Sequence, residues 1–273
     1  MSTEILRYAA FTDTPEGGNP AGVVLDASGL DDAEMQAIAA DVGYSETAFV
    51  TAADGTDMTV RYFSPLAEVP FCGHATIATG VAWGARNGDG VLRMATPAGL
   101  VEVAVADGVA TLTSVAPSSA PLDDAGLDEL LAALGWSRSD LDPELPPRVG
   151  YAGAHHPVVG IAAYETLAAL DYDFERLGAL MAARDWTTIQ LVWRDGPDRF
   201  RSRNPFPPGG VVEDPATGAA AAAFGGYLRE LGLVSPPATV TIDQGIELGR
   251  PSLLTVRIPV EGGISVSGTA VPI

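Results

Sequence analysis

Residues 68–80 read EVPFCGHATIATG, and this stretch decides how the rest of the chain is interpreted. A proline-containing turn followed by small apolar residues predicts a tight turn that leads into the N-terminus of a buried helix. The same outline returns at residues 213–222, which read EDPATGAAAA. Both copies contain the pattern Pro-x-x-Gly-x-Ala, and a further glycine follows each at nearly the same distance, Gly99 in the first copy and Gly245 in the second. The repeat predicts two related units, each with its own buried helix.

Composition excludes several classes of partner. The chain has 273 residues and a net charge of −20, and all 15 of its basic residues are arginine. Nucleic acid is excluded as a partner because binding it requires clustered positive charge. The apolar runs are far shorter than the ~20 residues of a membrane span, which predicts no membrane partner. No secretory signal pattern opens the sequence, so we expect a cytoplasmic protein.

Cysteine and histidine counts limit the chemistry further. Cys72 is the only cysteine, so neither an internal disulfide nor a mechanism with two active-site thiols is available. With three histidines in all, no metal site is predicted. His155 and His156 are predicted to lie in a loop, and two adjacent histidines do not form a metal site without further ligands.

The order of predicted elements indicates an α/β (α+β) protein. Short alternating strands surround two long helices that are apolar on all faces, predicted at about 74–85 and 214–231. Residues 14–22 are predicted as a loop, and a linker is predicted at 117–122. We therefore expect an N-terminal half at 1–118, joined by the last strand at about 263–273, and a C-terminal half at 119–262. Each half is expected to be a sheet wrapped around its own central helix.

Both helix N-termini are candidate anion-binding sites. The first amides of a helix have no intrahelical partner and carry the positive end of the helix dipole. Glycine at that point lets a ligand approach the backbone. The candidate residues are Gly73, His74 and Ala75 in the first copy and Gly218, Ala219 and Ala220 in the second. The alternative is that these small residues only allow a buried helix to pack closely.

Two polar residues accompany these termini. His74 is expected to supply a neutral imidazole that can donate or accept a proton. The alternative role for His74 is that of a helix cap or a core histidine. Asp214 is predicted in the first turn of the second helix, where its negative charge is favoured, and an ordinary capping role accounts for it equally well.

Cys72 and Glu46 are the remaining candidates. A thiol at a helix N-terminus can act as a nucleophile. However, Cys72 and His74 are two residues apart and would point to different sides of a helix, so the role of a buried small hydrophobe is preferred for Cys72. Glu46 precedes an apolar strand, where a carboxylate can serve as a general acid/base. From its position alone, the preferred interpretation of Glu46 is a solvated acid at the edge of a sheet.

Several blocks of the sequence resemble those of the phenazine-biosynthesis PhzF-like family. They occur in the family's order and span nearly the whole chain: Gly18-Asn-Pro-Ala-Gly-Val-Val24, Gly43-Tyr-Ser-Glu-Thr-Ala-Phe49, Glu68-Val-Pro-Phe-Cys-Gly-His-Ala-Thr76, Glu213-Asp-Pro-Ala-Thr-Gly218 and Gln244-Gly…Gly249-Arg-Pro-Ser252. The resemblance implies a diaminopimelate epimerase-like fold, with two pseudo-symmetric halves that each curl a mixed sheet around a central buried helix. It also implies a homodimer.

The resemblance further implies a cofactor-independent isomerase, similar to trans-2,3-dihydro-3-hydroxyanthranilate isomerase, acting on a small carboxylate-bearing metabolite. Glu46 would take and return the proton, and His74 and Asp214 would hold the substrate and assist. Substrate contacts would come from Asn19, Gly73, Ala75, Gly218 and Ala219. The chain departs from the family at Ala219, where the phenazine enzymes have serine, so its substrate is expected to differ.

Two other functions compete with this one. Cys72 could act as the nucleophile of a hydrolase. Alternatively, the chain could be a small-molecule-binding protein that has kept the fold without catalysis, which Ala219 favours. The retention of Glu46, His74 and Asp214 argues against the second alternative.

Overall fold

The computed structural model describes residues 3–273, and the chain divides into two compact units. Unit 1 comprises the described residues up to Thr113 together with Ser267–Ile273, and unit 2 comprises Ser114–Val266. Within the described residues, no helix has both the length and the apolar character that a membrane crossing requires.

Unit 1 is built from a mixed sheet and two helices. Its elements are β1 (Leu6–Ala10), β2 (Asn19–Val24), α1 (Asp32–Val42), β3 (Glu46–Asp54), β4 (Asp57–Phe63), β5 (Glu68–Val69), α2 (Gly73–Asn87), β6 (Gly90–Thr96), β7 (Gly99–Ala106) and β8 (Val109–Thr113).

Unit 2 has a larger helical content, and the last strand returns to unit 1. Its elements are β9 (Ser118–Pro121), α3 (Asp124–Leu134), β10 (Arg148–Tyr151), β11 (His155–Gly160), α4 (Tyr164–Ala168), α5 (Phe174–Arg184), β12 (Gln190–Arg194), β13 (Arg199–Arg203), β14 (Pro205–Phe206), β15 (Val211–Glu213), α6 (Gly218–Glu230), β16 (Ala238–Gln244) and β17 (Ser252–Ile258). The final strand, β18 (Ser265–Pro272), belongs to unit 1 from Ser267 onward.

The strands of the two units follow the same order and the same directions. In unit 1 the order β1-β2-β3-β4-β6-β7 alternates antiparallel and parallel pairs, with β2–β3 and β4–β6 parallel. In unit 2 the order β10-β11-β12-β13-β16-β17 repeats this pattern, with β11–β12 and β13–β16 parallel. The repeat predicted from residues 68–80 and 213–222 is therefore a repeat of topology.

In unit 1 the sheet closes on itself. Strand β18 pairs with β1, with Ala9 opposite Val271, and β18 also neighbours β8. Eight strands thus surround helix α2 without leaving an unpaired edge. This confirms the expected α/β fold, with a sheet curled around a central buried helix.

Each central helix connects a parallel pair of strands and is buried on all faces. Helix α2 lies between β4 and β6 in sequence, and α6 lies between β13 and β16. Every residue from His74 to Ala82 is buried, as is every residue from Ala220 to Leu228. A Cβ atom at Gly84 would lie 2.6 Å from Val105 Cγ1, and one at Gly225 would lie 2.9 Å from Val256 Cγ1. Both helices therefore need glycine where they approach the sheet.

The predicted second glycine of each repeat lies in a hairpin. Gly99 follows the turn between β6 and β7 and Gly245 follows β16, with φ of +121° and +75°. Glycine suits these positions because the left-handed region strains other residues. A Cβ at Gly245 would also lie 2.7 Å from the carbonyl oxygen of Pro215, so this turn is packed against the segment before α6.

Three predictions of local structure were wrong. The predicted loop at 14–22 already forms strand β2 from Asn19. Proline is tolerated in this strand because Pro20 pairs only with β1, and the pairing with β3 begins at Ala21. The predicted linker at 117–122 contains strand β9, which pairs with β10. His155 and His156 open strand β11 instead of lying in a loop, and His156 is fully buried.

Candidate active site

Glu46, Cys72 and His74 meet at the N-terminus of helix α2. Glu46 is the first residue of β3, Cys72 is the N-cap of α2 and His74 is its second residue. The Nε2 atom of His74 lies 3.4 Å from Oε2 of Glu46. The Sγ atom of Cys72 lies 3.4 Å from the same carboxylate oxygen and 3.4 Å from Nδ1 of His74. Three groups that can carry or transfer a proton are thus in mutual contact.

The contact between Cys72 and His74 contradicts the expectation that they point to different sides. That expectation assumed helical backbone at both residues. Cys72 has extended backbone instead, with φ −143° and ψ 116°, because it precedes the first helical residue. The thiol is buried as predicted, but its neighbours are polar, so a purely hydrophobic role does not describe it.

The Glu46 carboxylate lies at the partly open side of this group. Its side chain is 16% exposed and that of His74 is 6% exposed. The Ser45 hydroxyl lies 3.4 Å from His74 Nε2. A carboxylate that is sheltered but still accessible can take a proton from a bound molecule and return it.

A buried chain of hydrogen bonds fixes the start of helix α2. The Thr76 hydroxyl donates to the carbonyl oxygen of Cys72 at 2.7 Å. The Tyr62 hydroxyl lies 2.7 Å from the Thr76 hydroxyl and must donate to it, because the Thr76 hydrogen is already engaged. Burial raises the pKa of Tyr62, which keeps it a donor. Tyr62 and Thr76 therefore hold Cys72, the residue before Gly73, in place.

The backbone at Gly73 is open to a ligand. A Cβ atom there would have Phe71 Cε1 as its nearest neighbour at 4.0 Å. The first-turn amides of a helix lack intrahelical partners. Ala75 is fully buried, so its methyl group cannot contact a ligand that arrives from solvent. Asn19 is also buried and lies on β2 two residues before Ala21, the residue that pairs with Glu46.

Asp214 lies outside helix α6, contrary to prediction. The helix begins at Gly218 with Thr217 as N-cap, so Asp214 belongs to the preceding segment. The proline at 215 disfavours helical backbone at the residue before it. The Thr217 hydroxyl donates to Oδ2 of Asp214 at 2.6 Å, and the Asp214 amide donates to the carbonyl oxygen of Asn204 at 3.0 Å.

Gln244 holds the segment before α6 together. Its Nε2 donates to the carbonyl oxygen of Asp214 at 2.7 Å, and its Oε1 accepts from the amide of Thr217 at 3.2 Å. Gln244 is almost completely buried at the end of β16. Sequence reasoning did not assign it a role. Its position directly before Gly245, the second glycine of the repeat, was the signal in the sequence that could have pointed to a role.

An ion pair precedes each of the two turns. Arg203 Nε donates to Glu213 at 3.0 Å, and a second, shorter bond joins Nη2 to the other oxygen. In unit 1, Arg61 pairs with Glu68 in the same two-pronged way, at 2.7 Å for both bonds. Both glutamates stand two residues before the proline of the repeated pattern. The Arg203–Glu213 pair is buried, so it restrains the backbone next to Asp214.

The match to a known family covers nearly the whole chain. The family model described as phenazine biosynthesis-like protein matches residues 8–273. The chain belongs to this family. The resemblance inferred from the sequence blocks is thereby confirmed.

Named relatives of the phenazine biosynthesis-like family are isomerases. The chain is 35% identical to trans-2,3-dihydro-3-hydroxyanthranilate isomerase of Pseudomonas fluorescens over 254 residues, covering 91% of this chain and 87% of the relative. It is 31% identical to the uncharacterized isomerase YfhB of Bacillus subtilis, covering 98% and 96%. A PhzF-family structure from Bacillus anthracis has a TM-score of 0.88 and 28% identity and covers 100% of this chain and 98% of that one. The chain is accordingly an isomerase of this family with a diaminopimelate epimerase-like fold.

Ala219, where phenazine enzymes of the family are expected to carry serine, lies in the first turn of α6. It is half-buried, whereas Gly218 before it and Ala220 after it are buried. Of the predicted small residues of this turn, Ala219 is thus the one whose side chain retains some exposure.

Unit 2 also contains a buried polar cluster that sequence reasoning missed. Nδ1 of His156 lies 2.9 Å from the Thr188 hydroxyl, which also accepts from Asn204 Nδ2 at 3.1 Å. Burial lowers the pKa of His156 to about 4, so it is neutral near pH 7. Because Asn204 accepts from the amide of Asp214, the cluster supports the same segment as Gln244.

Among residues 3–273, one group of three side chains has metal-binding atoms close enough to share an ion. These are again Glu46, Cys72 and His74, whose ligand atoms all lie within 4.8 Å of one another. The prediction that the chain has no metal site rested on the small number of histidines, and it stays a prediction.

Proposed function

We propose that the protein is a cofactor-independent isomerase that moves a proton between carbon atoms of a small carboxylate-bearing metabolite. The observation that carries the proposal is the contact of the Glu46 carboxylate with His74 beside the open backbone of Gly73. The name of the Pseudomonas fluorescens relative suggests a substrate of the trans-2,3-dihydro-3-hydroxyanthranilate type.

In the proposed reaction, Glu46 removes a proton from a substrate carbon and becomes a carboxylic acid. The electron pair shifts through the adjacent double bond, and the same carboxylic acid returns a proton to a second carbon. The glutamate ends as it began, so one group is sufficient. A mechanism with one thiol on each side of the substrate is unavailable to a chain with one cysteine.

The remaining site residues are proposed to bind and orient the substrate. His74 would hydrogen-bond the substrate and stabilise charge that develops during proton transfer. The amides near Gly73 would bind carboxylate oxygens of the substrate, and a substrate contact at Gly218 and Ala219 stays a prediction from the family resemblance. Asn19 would contribute a side-chain contact, and Ala75, whose side chain is buried, would contribute only its backbone amide. The role of Asp214 as a hydrogen-bond partner stays a prediction from the family resemblance.

A test uses trans-2,3-dihydro-3-hydroxyanthranilate with the purified protein, followed by NMR. The proposal predicts isomerisation without any added cofactor, and conversion that is lost in Glu46→Gln. Glu102→Gln, which changes an exposed glutamate on β7, is the matched control and should retain full activity. Failure of the wild-type protein with this compound and with a panel of related carboxylated metabolites would contradict the proposal.

A second candidate function is hydrolysis with Cys72 as the nucleophile. The 3.4 Å separation of its Sγ from Nδ1 of His74, with an acid nearby, favours this reading. The isomerase names of the relatives argue against it. A binding protein without activity is the other alternative, and turnover of any substrate would exclude it. Homodimer formation and a cytoplasmic location stay predictions.

A further inference from the structure

We propose that unit 2 contains a buried hydration site, in which about two water molecules bind to the side chains of His156, Gln190, Ser202 and Asn204. The site occupies the place in unit 2 that Glu46 and its neighbours occupy in unit 1. Its ligand is water, an uncharged molecule that both donates and accepts hydrogen bonds.

Four side chains in the interior of unit 2 carry polar atoms without a hydrogen-bond partner among the described residues. These atoms are Nε2 of His156, Nε2 and Oε1 of Gln190, Oγ of Ser202 and Oδ1 of Asn204. His156, Gln190 and Asn204 are 0% exposed and Ser202 is 2% exposed. Buried polar groups that make no hydrogen bond are destabilising, and native proteins satisfy nearly all of them with protein atoms or with ordered water.

Strand register brings three of these side chains together. Gln190 pairs with Val158 of β11, which lies two residues after His156. Ser202 pairs with Val192 of β12, which lies two residues after Gln190. Side chains two residues apart on a strand point to the same face of the sheet. His156, Gln190 and Ser202 therefore share one face.

The fourth side chain is joined to the same face by hydrogen bonds, and this face packs on helix α6. The Thr188 hydroxyl lies 2.9 Å from Nδ1 of His156 and accepts from Nδ2 of Asn204 at 3.1 Å. Phe200, two residues before the serine on β13, packs edge-on against Phe224 of α6 with 4.8 Å between the ring centroids. The unpartnered atoms thus lie in the interior between the sheet and the helix.

This place in unit 2 corresponds to that of Glu46 in unit 1. The first parallel pair between the two strands is Ala21 with Glu46 in unit 1, and Val158 with Gln190 in unit 2. An Asn-Pro dipeptide precedes the first pair and a His-Pro dipeptide, which begins with His156, precedes the second. Gln190 is therefore the counterpart of Glu46, with an uncharged amide in place of the carboxylate.

The neighbours of this position are smaller in unit 2. By strand pairing Ser202 corresponds to Tyr62, and by distance from the first glycine of the helix Ala221 corresponds to Thr76. In unit 1 the Tyr62 and Thr76 hydroxyls lie 2.7 Å apart and satisfy each other. Alanine offers the serine hydroxyl no such partner. In the proposed site, water takes the place of the phenol group and of the threonine.

The chemistry of the four side chains suits water better than an ion. The Gln190 amide both donates and accepts, and the Ser202 hydroxyl can do either. His156 is neutral near pH 7 because burial lowers its pKa to about 4. The two amide oxygens would repel an anion, and the site has no negative charge to hold a cation. A buried water makes about three hydrogen bonds, so five unpartnered atoms correspond to about two molecules.

The test counts long-lived buried waters by magnetic relaxation dispersion of water oxygen-17. Gln190→Met keeps the length of the side chain and removes its hydrogen bonds, so we expect its count to be lower than that of the wild type by about two. Thr79→Val is the matched control, because the Thr79 hydroxyl is buried but donates to the carbonyl oxygen of Ala75 within α2. An unchanged count in Gln190→Met, or an equal decrease in Thr79→Val, would overturn the site.

Two further measurements separate a hydrated amide from a dry one. With water bound, Gln190→Met should lower the urea midpoint of unfolding, because the remaining polar atoms of the cluster lose their partners. A higher midpoint would show that the amide is buried without water. A high-resolution crystal structure of the wild type should show water ~2.7–3.2 Å from the Gln190 amide. Direct bonds from Gln190 to the other three side chains, in place of water, would also overturn the site.

Discussion

Nε2 of His74 lies 3.4 Å from Oε2 of Glu46, although the two residues come from helix α2 and from the start of strand β3. The closed sheet of unit 1 produces this contact, because it wraps β3 around the helix whose first residues carry Cys72 and His74. The contact joins a group that can take a proton to one that can stabilise the resulting charge.

Replacement of Cys72 separates the two candidate functions. In Cys72→Ala and Cys72→Ser we expect turnover to remain within about tenfold of wild type, because the thiol neighbours the acid/base but performs no bond-making step. A nucleophile would be indispensable, and its removal would lower kcat by several orders of magnitude. Steady-state kinetics of the two variants decide the matter. Loss of activity on that scale in both would show that the thiol reacts.

Tyr62→Phe should lower both stability and turnover. The phenyl ring keeps the packing but removes the donor to Thr76, which costs about 1 kcal/mol of unfolding free energy for a typical hydrogen bond. Because Thr76 holds the carbonyl oxygen of Cys72, the start of α2 loses its restraint and kcat should fall. Urea unfolding and kinetics measure the two effects.

Tyr227→Phe is the control for that experiment. Tyr227 donates to the carbonyl oxygen of Pro146 in unit 2, so its loss should cost similar stability and leave kcat unchanged. An equal fall of kcat in both variants would show that Tyr62 acts only through stability.

His156 makes stability depend on pH. Its pKa is lowered to about 4 in the folded protein because burial disfavours the charged imidazolium, against ~6.5 for an unfolded chain. The folded state thus binds fewer protons, and stability is lost as the pH falls below about 6.5. Between about pH 7 and pH 5 this group should remove ~2 kcal/mol of unfolding free energy.

The measurement is urea unfolding at those two pH values for the wild type and for His156→Asn. The variant should lose ~2 kcal/mol less than the wild type, since asparagine does not titrate. His155→Gln, which changes an exposed histidine, should behave like the wild type. Equal losses in all three proteins would mean that His156 does not control the pH dependence.

Several of these features were accessible from the sequence, and others were not. The two turns and their buried helices follow from the spacing of small apolar residues around Gly73 and Gly218, and the structure has both. The segment around Asp214 was misplaced because the run of apolar residues after it suggested an earlier helix start. Only the bonds from Thr217 and Gln244 reveal its true conformation.

The polar partners were harder to predict for a general reason. Gln244 and His156 come close to Thr217 and Thr188 only through strand register, which a single sequence does not specify. The meeting of Cys72 with His74 depends on the extended backbone of one N-cap residue. Rules for residues within a helix do not apply at that position.

Ala219→Ser tests the inferred change of substrate. If the pocket has lost only a hydroxyl, its restoration should improve kcat/KM for trans-2,3-dihydro-3-hydroxyanthranilate by up to roughly a hundredfold, as expected for a regained hydrogen bond of ~1–3 kcal/mol. The comparison requires kinetics of both proteins with the same compound. Unchanged or lower kcat/KM would indicate that Ala219 belongs to a pocket built for another molecule.

Glu46 is proposed to remove a proton from one substrate carbon and to return a proton to another, and deuterium exchange tests this role most directly. Wild-type protein and Glu46→Gln are incubated with substrate in deuterated buffer, and incorporation of deuterium at the reacting carbons is followed by NMR. We predict incorporation with the wild type and a rate lower by roughly 10²–10⁴-fold in Glu46→Gln, which still folds. Incorporation at the wild-type rate by Glu46→Gln would contradict the account.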